Sequence, residues 1–202
     1  MPEVTTSRAE AYVSDLSRRL RSLDVAGLEA AATLVEEKIR AGHSIFIAGN
    51  GGSSAVAEHM ASDWRAAAAE AGCRTGEILS LTSNVAVLTA LANDCSYDEV
   101  FSRQIVERAT AGDLLVCLSV SGGSVNVLRA AAEARGRGVA VLGLVGRESA
   151  LAQVSDMVIF LDVDGDYGIA EDMQSVFMHL VARVVRRVDH HRVPQQTGWI
   201  PE

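Results

Sequence analysis

Five short runs, at 44–48, 77–81, 114–119, 139–145 and 157–161, are rich in Val, Ile and Leu, and turns with helix-period segments separate them. Four of the five are almost wholly apolar instead of alternating, as expected for strands buried on both faces of a parallel sheet. Parallel neighbours need a crossover between them, and that crossover is right-handed. The chain is therefore expected to form a three-layer α/β/α sandwich around a five-stranded parallel sheet, with helices at 54–71, 84–92, 98–110, 124–137 and 169–188. Two further helices precede the first strand. Val13, Leu16, Leu20 and Leu23, then Leu28, Ala31, Leu34, Val35 and Ile39, recur at helical spacing over 7–23 and 26–41, and Gly42 supplies a left-handed stop. We read one domain over 1–190, including the helix pair at 7–41, followed by an irregular tail at 191–202 that carries Pro194 and Pro201.

Composition removes several functions. Aromatic residues make up only 4% of a chain that is 49% hydrophobic, so the core must be aliphatic and alanine-rich. A net charge of −8 argues against nucleic acid as a partner. Of the 18 basic residues only Lys38 is a lysine, and it sits among Glu36, Glu37 and Arg40, which disfavours Schiff-base chemistry. No Gly-Lys pair is present, so a phosphate-loop nucleotide site is excluded. Cys73, Cys95 and Cys117 have neither disulfide-framework nor zinc-knuckle spacing and read as reduced thiols. With no apolar run of membrane-spanning length and a polar start, the expected setting is the cytoplasm, without a membrane partner.

Two strand ends carry unusual loops. The first continues Gly49-Asn50-Gly51-Gly52-Ser53-Ser54 and the second Ser119-Val120-Ser121-Gly122-Gly123-Ser124, each directly before a helix. Glycines allow close backbone approach to an anion, a helix N-terminus presents free amides, and Ser53, Ser119, Ser121 and Ser124 add hydroxyl donors. Open parallel sheets bind ligands beyond the carboxyl ends of their strands, so a phosphorylated small molecule is the expected ligand. The first loop lacks the third glycine of a dinucleotide fingerprint, and no lone acidic residue closes the next strand, which ends Leu79-Ser80-Leu81-Thr82.

The segments Ile45 to Ser53, Ala92-Asn93-Asp94, Phe101-Ser102-Arg103 and Ser119 to Ser124 resemble the sugar isomerase (SIS) domain, and more narrowly its phosphoheptose isomerase branch, over about 8–190. The resemblance implies a homotetramer with active sites between subunits, and interconversion of sedoheptulose 7-phosphate with a heptose 7-phosphate aldose, often with zinc. It places substrate contacts on Asn50, Gly51, Gly52, Asn93, Asp94, Ser119, Val120, Ser121 and Ser124, and a family Gln on Gln174. Ser53, a hydroxyl of the first loop, and Gln174 join them as candidate substrate-binding residues. Val120 stands where the family has Thr. The resemblance also puts a Zn²⁺ site on His59, Asp63 and Gln174, with Asp63 in place of the family's catalytic Glu. His59 and Asp63 are four apart and so share a helix face.

The family's second histidine falls on Ala182, and His179 is the nearby candidate for acid–base work with Asp63. On the last helix Ile169, Met173, Val176, Phe177, Leu180, Val184 and Val188 define the expected buried stripe, with Gln174 on one flank and His179 on the other. An ideal helix then cannot aim both at one site. Either a bulge shifts the register, or Asp172 and His179 serve the pocket, with Glu171 a further candidate ligand. The expected chemistry is an aldose–ketose isomerisation through an enediol. The alternative is a non-catalytic sugar-phosphate-binding scaffold, like the bacterial initiator-associating protein of the same branch.

Overall fold

The computed structural model describes residues 7–163 and 165–187, so the expected tail at 191–202 lies outside the described residues. Helices α1 (Arg8–Ser22) and α2 (Val25–Arg40) lead into β1 (Ile45–Gly49), α3 (Gly52–Glu70) and β2 (Ile78–Ser80). Then follow α4 (Val85–Asp94), α5 (Ser102–Arg108), β3 (Leu114–Ser119), α6 (Val125–Gly136), β4 (Ala140–Val145), α7 (Ala150–Val154), β5 (Met157–Phe160) and α8 (Tyr167–Arg186). The helix expected at 98–110 is split: a 3₁₀ turn at Tyr97–Glu99 precedes α5. Helix α7, only five residues long, is too short to show a helical period and was not expected. None of the described helices is long and apolar enough to cross a membrane.

All strand pairings are parallel, in the order β2-β1-β3-β4-β5. Successive side chains of a strand face opposite layers. Ile45 and Ile47 accordingly join Leu114 and Val116 in a core under α2, α3 and α8. Phe46 and Ala48 join Leu115 and Cys117 in a second core under α5, α6 and α7. Alanines carry much of the helix–sheet contact, as the scarcity of aromatics requires: Ala57, Ala61, Ala67 and Ala68 on α3 and Ala130, Ala131 and Ala134 on α6 are all buried.

Helix α8 differs from the expectation in rotation. Its buried residues are Ile169, Ala170, Met173, Gln174, Phe177, Met178, Val181, Ala182 and Val185, whereas Val176 is exposed and Leu180 and Val184 are only half-buried. Hydropathy picks out the large apolar residues wherever they fall, but the buried face of α8 also includes Ala170, Gln174 and Ala182. The Trp64 ring meets Phe177 edge-on at 6.3 Å, and its Nε1 donates to the Met178 carbonyl at 3.0 Å. Gln174 therefore sits within the buried face, not on its flank. The helix runs unbroken from Tyr167 to Arg186 without the postulated bulge.

Candidate active site

The sheet order reverses between β1 and β3, because the chain leaves β1 for the edge strand β2 and returns past it to β3. The crossovers on the two sides diverge there, leaving a crevice at the carboxyl ends of β1 and β3. Gly49 pairs with Leu118 in the register, so the two glycine–serine loops leave the sheet side by side. Asn50, Gly51, Gly52, Ser53, Ser119, Val120, Ser121 and Ser124 line one cavity of about 370 Å³, together with Leu118, Tyr167 and Glu171.

The first loop turns into α3 through Gly51, whose φ of 58° favours glycine. At Gly52 the reason for glycine is different: a Cβ there would run into the Glu171 carboxylate. That contact puts a carboxylate from α8 over the start of α3, where the helix dipole favours negative charge. Asn50 is held from three directions. Its Nδ2 donates to Asn126 Oδ1 at 2.9 Å, and its Oδ1 accepts from Asn126 Nδ2 and from the Tyr97 hydroxyl, both at 2.9 Å. Such a fixed amide presents its remaining hydrogen-bonding capacity in one direction.

Around β3 the serines are partly paired with one another: Ser119 Oγ donates to Ser124 Oγ at 3.3 Å, and the Gly123 amide donates to Ser121 Oγ at 3.3 Å. Asn84, Ser149 and Asp166 cap α4, α7 and α8 with side-chain oxygens. Among the described residues, α3 and α6, the two helices that start at the crevice, have no such cap, as is also true of α2 and α5. The Glu171 carboxylate lies over the first turn of α3, and the first turn of α6 is open to an anionic ligand. Cys117 lies beneath the site on β3, fully buried, and burial pushes its thiol up to about 12, so it is not a nucleophile at neutral pH.

A second cavity of about 400 Å³ shares Asn50 and Gly51 with the first and is lined by Ser54, Glu58, Thr82, Ser83 and Tyr97 among others. Glu58 accepts from the Thr82 and Ser83 hydroxyls at 2.8 and 3.0 Å. Asn93 and Asp94 stand exposed at the end of α4, where Asn93 Nδ2 donates to Asp94 Oδ1 at 2.7 Å, and they line neither cavity.

On the α3–α8 surface the structure brings His59, Asp63 and His179 together, with one ligand atom from each lying within 4.8 Å of the others. His59 Nε2 is 3.5 Å from Asp63 Oδ1, and His179 Nε2 is 3.8 Å from Asp63 Oδ2. Gln174 is not in this group. It is fully buried, its Oε1 accepts from Ser53 Oγ at 3.2 Å, and its Nε2 has no partner among the described residues. Asp172, which the sequence reading paired with His179 in place of Gln174 and the family histidine, is instead engaged by the N-terminal helix, accepting from the Tyr12 hydroxyl at 2.7 Å. That bond to a carboxylate raises the Tyr12 phenol above its usual range.

The sequence reading missed Asn126, Tyr97 and Tyr167. Asn126 hides in an otherwise helix-like stretch. The tyrosines had a signal, since the chain has only 3 and two of them line these cavities.

A parallel sheet whose two glycine–serine loops meet at its switch point defines an α/β domain with a crevice open to a small ligand. Residues 10–146 match the model of the SIS domain. Phosphoheptose isomerase from Mycobacterium bovis is 35% identical over 190 residues, covering 87% of this chain and 91% of the relative. The one from Campylobacter concisus is 35% identical over 178 residues, with coverages of 87% and 92%. The structure of phosphoheptose isomerase from Neisseria gonorrhoeae superposes with a TM-score of 0.79 at 28% identity, covering 90% of this chain and 98% of that one. The chain belongs to the phosphoheptose isomerase family of SIS-domain proteins.

Proposed function

We propose that this chain is a cytoplasmic aldose–ketose isomerase that interconverts sedoheptulose 7-phosphate and a heptose 7-phosphate. The observation that carries the reading is the convergence of eight residues of the two loops, with Glu171, on one cavity. The phosphate sits on Ser119, Ser121, Ser124 and the start of α6, and Val120 keeps its backbone amide although it lacks the family's hydroxyl. Binding there, remote from the reacting carbons, fixes the sugar's orientation. Asn50, locked by Asn126 and Tyr97, and Ser53, backed by Gln174, meet the sugar hydroxyls.

Isomerisation moves one proton from carbon to the neighbouring carbon and another between the two oxygens, through an enediol. Asp63 takes the proton from carbon and returns it to the adjacent carbon. Glu171, the carboxylate-bearing residue of the cavity lining, carries the proton between the oxygens. The donor set on the α3–α8 surface, two imidazoles and a carboxylate outside the lining of both cavities, suits Zn²⁺, with His59 and Asp63 holding it as the family resemblance implies. When bound, zinc supplies Lewis-acid polarisation of the sugar oxygen.

The assembly we propose is a homotetramer. Helix α1 has no fully buried residue, and its Tyr12 and Val13 are exposed, as is Val85 on α4, which leaves apolar helix surface for neighbours to cover. A binding-only role has one observation in its favour, Ala182 at the position of the family histidine. The test separates the two: incubation with sedoheptulose 7-phosphate in deuterated water, followed by NMR. Appearance of an aldose deuterated at C2 supports the isomerase. Binding without exchange or product leaves the scaffold.

A further inference from the structure

We infer that His179 is a metal ligand in this chain, completing a His59–Asp63–His179 site from which Gln174 is absent. The inference rests on the isomerase reading for the metal's use, and on the geometry alone for its ligands.

Three observations carry it. First, the spacing is that of ligands around one ion. Zinc bonds of about 2.0–2.1 Å in a tetrahedron place neighbouring donor atoms about 3.3 Å apart. The two carboxylate-to-imidazole distances, 3.5 and 3.8 Å, run to different oxygens of Asp63; with one ligand atom per residue the group lies within 4.8 Å, so side-chain rotation must draw the donors in by up to about 1.5 Å. The imidazoles stand edge-to-face with centroids 5.6 Å apart, and each directs Nε2 at a different oxygen of the same carboxylate. Second, the positions that the family resemblance assigns on α8 are closed. Ala182 is 2% exposed and carries no donor, and Gln174 is fully buried and engaged by Ser53. Third, the group is open to solvent, with both imidazole side chains 55% exposed. An ion can enter, and a fourth position is left free for a sugar oxygen, as in catalytic zinc sites with two histidines and one carboxylate.

The rotation of α8 explains the exchange of ligands. With Ala170, Gln174, Met178 and Ala182 turned inward, the edge of the helix nearest α3 falls at His179. This assignment replaces the acid–base role that the sequence suggested for His179 and leaves proton transfer to the two carboxylates.

The test uses the chelator-stripped protein, Zn²⁺ alone by titration calorimetry and Co²⁺ alone by visible absorption. The wild type is expected to take one ion per chain and to give the intense d–d bands of a low-coordinate cobalt site. His179→Ala, which alters a half-exposed side chain, is expected to weaken zinc at least about tenfold and to lose those bands, as is His59→Ala. Gln174→Leu, verified as folded by its melting temperature, is expected to bind zinc within twofold of the wild type. Wild-type zinc affinity in His179→Ala, or loss of zinc in Gln174→Leu, overturns the inference even if isomerase activity is present. Zinc binding as expected without isomerase activity overturns the functional reading and leaves the site standing.

Discussion

Replacing Ser121 and Ser124 together by Ala tests the phosphate assignment most directly. A hydrogen bond to a charged group contributes about 1.5–3 kcal/mol, so two lost donors would remove about 3–6 kcal/mol if nothing took their place. The structure lowers that figure. Ser121 is exposed, so water refills its position. Ser124 is half-buried and accepts from Ser119 Oγ at 3.3 Å, so its removal frees the Ser119 hydroxyl to turn towards the phosphate. The amides at the start of α6 are untouched. What remains is a loss of about 1.4–2.8 kcal/mol, or roughly tenfold to a hundredfold in dissociation constant.

The assay is calorimetric titration with sedoheptulose 7-phosphate and, separately, with inorganic phosphate, beside a melting curve. Stability should change by no more than about 0.5 kcal/mol, because neither serine is in the core. Both ligands should weaken by the same factor, since the loop reads only their common group. Val120→Thr restores the family's hydroxyl to a position that lines the cavity, and should tighten both. Affinities within twofold of the wild type for both ligands in the double variant would place the phosphate outside this loop and refute the reasoning.

Gly52→Ala puts a Cβ into the Glu171 carboxylate. The half-buried Glu171 can swing away, and alanine favours a helix by up to about 1 kcal/mol, so the melting point should hardly move while turnover falls at least tenfold. Normal turnover would show that the Gly52–Glu171 contact is not used. Light scattering should give four times the 21.4 kDa chain mass, and Val13→Asp should lower it. A single-chain mass at micromolar wild-type protein refutes the tetramer.

The sheet and its loops were legible because they depend on short-range pattern. Apolar runs of five or six residues mark strands covered on both faces, and a Gly-Ser turn before a helix is a local signal with a local cause. Once the runs are strands, the 2-1-3-4-5 order brings both loops to the same crevice. Helix α8 was harder to read for a reason specific to this chain. The buried face of α8 includes Ala170, Gln174, Met178 and Ala182, which a hydropathy stripe weights below Val176 and Val184. The stripe was therefore placed too far round the helix, and Gln174 was assigned to a flank that the structure buries. Asn126 and Tyr97 were invisible for another reason. They act on Asn50 across 76 and 47 positions, and no local pattern records such pairs.

The move of the imidazole from position 182 to 179 is small in helical terms. Residues three apart on a helix are neighbours on one surface, about 5–6 Å between Cβ atoms. Helical side chains also lean towards the N-terminus. A histidine at 179 thus reaches back along α8 in the direction of Glu171 and the cavity. Asp63, one methylene shorter than Glu, draws any shared ion towards α3, the same side on which His179 stands. Each departure from the family pattern would strain a site built with the other residue of the pair. Together they describe a site shifted towards the α3–α8 surface. Asp63→Glu is therefore expected to crowd His179 and weaken zinc in the calorimetric titration, and moving the imidazole to the buried position 182 does not restore it. Zinc affinity in Asp63→Glu within twofold of the wild type refutes the shifted site.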